Sequence, residues 1–161
     1  MFIYIFRNGN DDIHGINRED RLDLRTENSV QLQKFREKWY EKQENSKNLK
    51  IIPEDYGGLN ENRVLNWYTG DGSYSGGEVS FATDGFREKD VRRISKDLNE
   101  EIGIHSHVNK TSKTNEEGED QWKIRFGSKE DVKKFFKYLE GADNVAVNLA
   151  KKVFPQRFPR E

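Results

Sequence analysis

The chain has 161 residues, carries a formal net charge of −1, and is 32% hydrophobic and 35% charged with no cysteine. That length holds one domain or two small, tightly joined ones, and the missing cysteines exclude disulfides, thiolate zinc sites and cysteine nucleophiles. No stretch approaches the roughly 18–20 apolar residues of a membrane span, and residues 1–6 are too short and lack the basic flank of a signal peptide, so an intracellular setting is expected.

Residues 1–7 read as a strand and residues 8–20 as a polar loop with Gly9 and Gly15. Residues 21–26 alternate: Leu22 and Leu24 fall on one face, Arg21, Asp23 and Arg25 on the other, as in a half-buried strand. A helix follows to about Tyr40, with Asn28 as its cap and Leu32, Phe35 and Trp39 on one stripe. Residues 41–48 form a polar connector, and Lys50-Ile51-Ile52-Pro53 leads into a turn at Gly57 and Gly58. Asn60 caps a second helix whose Val64, Leu65, Trp67 and Tyr68 give it two apolar flanks, and it stops at Gly70-Asp71-Gly72.

Residues 73–83 resemble a hairpin around Gly76 and Gly77 with Val79 and Phe81 facing inward. A third helix carries the stripe Val91, Ile94, Leu98 and Ile102, and Gly103 ends it. Residues 104–110 and 121–126 form a strand pair across a polar loop, residues 111–120. Ser128 caps a last helix bearing Val132, Phe135 and Leu139, with Asp131 placed as in a capping box. A partly apolar tail contains Lys152-Val153-Phe154-Pro155.

The order strand, loop, strand, capped helix, connector, Lys-x-x-Pro occurs twice. Setting Phe35 on Phe135 also sets Leu22 on Trp122, Leu24 on Ile124, Arg25 on Arg125 and Leu32 on Val132. The second copy is preceded by a capped helix, a hairpin and another helix; the first is not. The expected organisation is a partial first unit, residues 1–58, and a complete second unit, residues 59–161, whose key helix spans residues 61–72.

The segment Val64-Leu65-Asn66-Trp67-Tyr68-Thr69-Gly70-Asp71-Gly72 resembles the motif of the LAGLIDADG homing endonucleases. The order around it, from Lys50-Ile51-Ile52-Pro53 through Leu59-Asn60 to Ser73-Tyr74, residues 79–83 and Phe86, looks like the second half of the double-motif members. The resemblance implies an α+β fold with an αββαββα half, preceded here by a truncated first half, and an antiparallel saddle sheet that sits on DNA. It implies a site-specific double-strand DNA endonuclease of the homing type, a hydrolase linked to intron or intein mobility. The acid ending each motif helix binds Mg²⁺ or another divalent cation, and two such acids make one centre.

Carried onto this sequence, Asp71 stands at the metal-binding position, Gly70 where a backbone carbonyl joins it, and Lys50 and Lys152 at basic catalytic positions. Val64, Leu65 and Tyr68 stand where a partner motif helix would pack. No Asp-Gly helix lies upstream of Ile51, so the second acid requires a homodimer or a missing upstream half. The alternative is a non-cleaving, sequence-specific DNA-binding remnant or regulator, with an RNA-binding splicing maturase behind it.

The chemistry of the residues fits this reading. Phosphodiester hydrolysis needs an activated water and neutralised phosphate charge, which a hard cation on oxygen ligands supplies. Strand alternation puts His105, His107, Asn109 and Thr111, and across from them Gln121, Lys123 and Arg125, on an outward face suited to base edges and phosphates. Arg21 and Arg25 join that set from the earlier strand. Arg87, Lys89, Arg92 and Arg93 cluster at the start of the third helix, either to reach DNA or to be solvated. The glycine-rich stretch, residues 70–77, lacks Gly-Lys-Ser/Thr, which excludes a phosphate-binding loop of that kind.

Overall fold

The computed structural model describes residues 14–18, 21–25, 30–42, 48–114 and 120–159. The expected strand over residues 1–7 and the Asn28 cap lie outside them, as does the side chain of Leu32.

The first described elements are β1 (His14–Arg18) and β2 (Arg21–Arg25), an antiparallel pair. Part of the expected loop before Arg21, residues 14–18, is therefore a strand. Gly15 and Asn17 are poor strand formers, and pairing with Leu24 and Leu22 recruits them. Helix α1 (Val30–Trp39) follows, with Phe35 stacked on Trp39 at 5.7 Å. The expected connector after it also gains structure: β3 (Tyr40–Lys42) and β4 (Asn48–Lys50) pair antiparallel.

Helix α2 (Glu61–Asp71) starts where Asn60 predicts, its side chain accepting from the Arg63 N–H at 2.9 Å. It runs through Asp71 itself and passes directly into β5 (Gly72–Ser75). A turn through Gly76 and Gly77, at φ 60° and 82°, brings the chain back as β6 (Glu78–Ala82). Two successive left-handed residues match the twist of a two-residue hairpin, which favours glycine at both. Helix α3 (Glu88–Ile102) ends at Gly103, whose φ of 72° makes it the left-handed cap expected.

Strands β7 (His107–Thr114) and β8 (Asp120–Phe126) reach further into the predicted loop than alternation indicated, while β7 starts three residues later than expected. The delay has a cause. Ser106 is held by a buried polar knot: its hydroxyl bonds Ser95 at 2.7 Å and the Asn99 side chain at 2.6 Å. The Ser106 N–H also donates to Asn99 at 2.8 Å. These bonds take residues 104–106 out of the ladder.

Helix α4 (Lys129–Leu139) is capped by Ser128. The tail, for which no helix was expected, forms α5 (Asn144–Val153) and a short 3-10 helix, Pro155–Arg157. Asp143 caps α5 by accepting from the Ala146 N–H, and Val147 and Ala150 are its buried positions.

From α2 to α4 the order is αββαββα, and its four strands form one antiparallel sheet in the order β5-β6-β8-β7. The core lies between one face of this sheet and the helices. Val79, Phe81, Ile124 and Phe126 of the sheet meet Val64, Leu65 and Tyr68 of α2, Val91 and Leu98 of α3, and Val132, Phe135 and Leu139 of α4. Burying such aliphatic and aromatic side chains is the main driving force for folding. No helix of the described residues is long and apolar enough to cross a membrane.

The repeat holds for its ββα part. Arg25 pairs with His14 in β1–β2 as Arg125 pairs with His107 in β7–β8. Its connectors differ: Lys50 ends a strand, whereas Lys152 lies in the last turn of α5. The two Lys-x-x-Pro segments are therefore not structural equivalents.

Candidate nuclease site and nucleic-acid face

Asp71 is the last residue of α2, at the negative end of the helix dipole, where cations are favoured. The junction around it is tight. A Cβ on Gly72 would stand 2.5 Å from the Tyr68 carbonyl oxygen and would clash with the Tyr68 ring. Glycine is thus required here by space, since its φ of −86° is ordinary. Gly72→Ala is expected to destabilise the fold by about 1–3 kcal/mol, as overpacking of a filled site does. A urea midpoint equal to wild type would contradict this close approach.

The end of α2 is also fixed from a distance. The Gly72 N–H donates to the Tyr68 carbonyl. Arg157 donates to that carbonyl at 3.1 Å and to the Thr69 carbonyl. The Tyr68 hydroxyl in turn donates to the Arg157 carbonyl, and the guanidinium lies over the Phe154 ring at 4.9 Å. Burial raises the Tyr68 phenol well above its ordinary range. At the other end, the Arg63 guanidinium donates to the Gly57 and Gly58 carbonyls at 2.6 and 2.8 Å, fastening the preceding turn.

Asp71 and Lys50 line one cleft of about 710 Å³. The Arg63, Asn66 and Trp67 side of α2 forms one wall, and Phe35, Trp39, Ile52, Phe86 and Ile94 contribute apolar surface. Lys50 is anchored there: its N–H donates to the Gly85 carbonyl at 3.0 Å, and its ammonium sits 5.5 Å from the centre of the Phe86 ring. Lys152 is exposed on α5 and does not line this cleft. Gly70 is half-buried inside α2, one residue before Asp71. Among the described residues no three of His, Asp and Glu converge as a metal cluster.

Val64, Leu65 and Tyr68 do not present a face to a partner helix. They are 0%, 1% and 0% exposed and belong to this chain's own core. Tyr68 alone meets Phe81, Phe135, Phe136 and Phe158 edge-on, at 5.1 to 5.9 Å. Of the two apolar flanks of α2, that one is consumed internally, and the flank of Trp67 borders the cleft.

The outward face of the sheet is organised in cross-strand rows. Register aligns Ser73, Ser80, Arg125 and His107 in one row and Ala82, Lys123 and Asn109 in the next. Thr111 follows on β7, within the stretch where the register shifts. Gln121 is buried, and its side chain accepts from the Gly85 N–H at 2.9 Å, so it braces a turn. Arg21 and Arg25 lie on the separate β1–β2 pair.

Arginines at the start of α3 are tied within the chain. Arg87 pairs with Glu41 at 3.0 Å and Arg92 with Glu88 at 2.6 Å. Arg93 donates to the Ile52 and Glu54 carbonyls at 3.3 and 3.1 Å and lies over Tyr56. The Tyr56 hydroxyl also bonds Asp97, so residues 52–56 are fastened to α3.

His105 is held differently from His107. Its Nδ1 lies 3.3 Å from the buried Asp131 carboxylate, which also accepts from the Ser128 hydroxyl at 2.6 Å. Burial pushes the Asp131 carboxyl upward, but the Ser128 and His105 hydrogen bonds and the imidazole charge outweigh it and hold the carboxyl below the usual range. A depressed folded value means Asp131 stabilises the fold above about pH 4 and loses that effect as pH falls through the folded value. The gap in urea midpoint between wild type and Asp131→Asn is therefore expected to be open near neutrality and to close in acid below about pH 4. A gap unchanged down that range would refute the linkage.

Sequence reasoning missed Arg157, Glu78, Ser73 and Ser80. The serines had a signal, since they alternate with Gly72, Tyr74, Val79 and Phe81.

The acid-ended helix and its four-stranded antiparallel sheet, in the order αββαββα, define an α+β fold. The sequence profile of the LAGLIDADG DNA endonuclease family matches residues 6–139, and the chain belongs to that family. Among solved structures it is similar to one described as the homing endonuclease I-WcaI bound to its DNA recognition sequence. The TM-score is 0.52 at 13% identity, over 93% of this chain and 82% of that one. At that identity the likeness is one of fold. No curated protein matches the chain.

Proposed function

We propose that this chain binds duplex DNA through the outer face of the β5-β6-β8-β7 sheet and supplies one half of a two-acid, divalent-cation-dependent phosphodiesterase centre. The observation that carries the reading is that Asp71, at the end of the motif helix, and Lys50 line the same cleft. The DNA-bound state of the homing endonuclease with the similar fold supports the choice of ligand.

A carboxylate and helix-end carbonyls at the negative end of a helix dipole are hard donors that suit Mg²⁺. Asp71 and the Gly70 carbonyl would hold the ion. When bound, it supplies a nucleophilic water and neutralises phosphate charge. Lys50 places an ammonium in the cleft to offset charge developing on phosphate oxygen. His107, Lys123 and Asn109 contact DNA from the sheet. Residues 59–161 act as the complete half and residues 1–58 as a partial one.

The second acid comes from outside the described residues, on a second motif helix. Its docking surface is the apolar cleft along Asn66 and Trp67, because Val64, Leu65 and Tyr68 are already buried. A second copy of this chain or an upstream half would provide that helix. Lys152 does not line this cleft and has no part in the proposed chemistry.

The test is binding and cleavage of a randomised duplex library with Mg²⁺, with the mass in solution recorded. Cutting by a dimer supports a centre built from two copies. Salt-sensitive duplex binding by a monomer without cutting reduces the chain to a DNA-binding relative that needs a missing half. Preference for structured RNA over duplex DNA overturns the reading.

A further inference from the structure

Glu78 and Arg125 make a two-point polar contact on the outer face of the sheet. Arg125 Nε donates to Glu78 Oε1 at 2.8 Å, and Nη2 donates to Oε2. The two residues lie diagonally across β6 and β8, because Arg125 pairs with Ser80, two residues along from Glu78. Both side chains remain 36% exposed.

The contact is side-on. It uses Nε–H and one Nη2–H, which leaves three of the five guanidinium donors of arginine. Among them, one N–H on Nη1 and one on Nη2 point away from Glu78 as a parallel fork. The carboxylate removes freedom from a long side chain before any ligand arrives, which lowers the cost of binding. It also neutralises the arginine locally and sets a negative charge beside it, so a phosphate is a poor partner. A neutral edge with two adjacent acceptors is a good one. In the major groove that edge is guanine, through O6 and N7.

We infer that Arg125 is a base-reading residue for guanine and Glu78 its positioning residue. The inference rests on the DNA-binding reading above and specifies one contact within it. Exposed Asn109, two residues from His107 along β7 and paired with Lys123, would meet a neighbouring base.

The experiment is selection from a randomised duplex library by wild type, Arg125→Lys, Arg125→Ala, Glu78→Gln and Glu78→Ala, with affinities measured at two salt concentrations. Wild type is expected to require guanine at one position. Both Arg125 variants are expected to lose that preference alone, by about 5- to 150-fold, the worth of one bidentate base contact. Lysine should not rescue, because it lacks the fork. Glu78→Ala should relax the same position while keeping or raising overall affinity, since a negative charge has gone. Glu78→Gln should fall between.

Rescue by lysine, with a uniform loss over all sequences when alanine is present, would make Arg125 a phosphate grip and overturn the inference. So would a base profile unchanged in every variant. No duplex binding by wild type would overturn the DNA reading and this inference together, whereas binding with an unaltered profile removes this inference alone.

Discussion

Phe135→Ala is expected to cost about 3–5 kcal/mol, the range for deleting a fully buried aromatic ring. Phe135 is 0% exposed and is the hub of the aromatic core. Its ring centre lies 5.1 Å from Tyr68, 5.2 Å from Phe126, 5.3 Å from Phe136 and 5.8 Å from Phe81, in edge-on arrangements. These contacts come from α2, both central strands and α4 itself, so the cavity left by alanine cannot be closed by moving one element. Domains of this kind have only about 5–15 kcal/mol of stability in total. The loss should therefore shift the urea midpoint far down. A shift worth under about 1 kcal/mol would show that the core is not organised around this ring.

Asp71→Asn should leave the fold and duplex binding intact while reducing phosphodiester cleavage by about 10²–10³-fold or more. Metal stabilisation of a phosphoryl transition state is worth several kcal/mol, and each 1.36 kcal/mol is tenfold in rate. Asparagine keeps the size of the side chain and loses the charge that draws a divalent cation. The informative comparison is single-turnover cleavage at saturating duplex, beside the affinity of the same variant. Loss of binding in parallel with cutting would make Asp71 a folding residue. Unchanged cutting would remove it from the chemistry altogether. Lys50→Ala provides a second probe of the cleft, since Lys50 lines it together with Asp71.

The parts of this protein that were legible in the sequence are those with local signals. Asn60, Ser128 and Gly103 mark helix ends through bonds to backbone three or four residues away. The motif helix announced Asp71, and strand alternation placed His107, Lys123 and Arg125 on one side. What failed was contextual. Helix α2 has two apolar flanks, and nothing in a single helix says which one its own sheet will bury; the structure spends Val64, Leu65 and Tyr68 on the core. Gln121 has the outward parity of Lys123, yet the Gly85 turn covers it. Helix α5 went unread because its buried positions, Val147 and Ala150, are too few for a clear period. Glu78 and Arg125 are 47 residues apart in sequence, and alternation alone cannot pair them.

The clasp between Tyr68 and Arg157 joins residues 89 apart in sequence. During synthesis the ribosome releases α2 long before it releases Arg157. Until then the carbonyls of Tyr68 and Thr69 lack their guanidinium, and the Tyr68 hydroxyl lacks its acceptor. Contacts of such long separation close late, because the chain must first give up the entropy of the intervening loop. The geometry around Asp71 is thus completed only after nearly all the described chain has left the exit tunnel. A nascent chain stalled before residue 157 would carry the motif with its helix end unclasped.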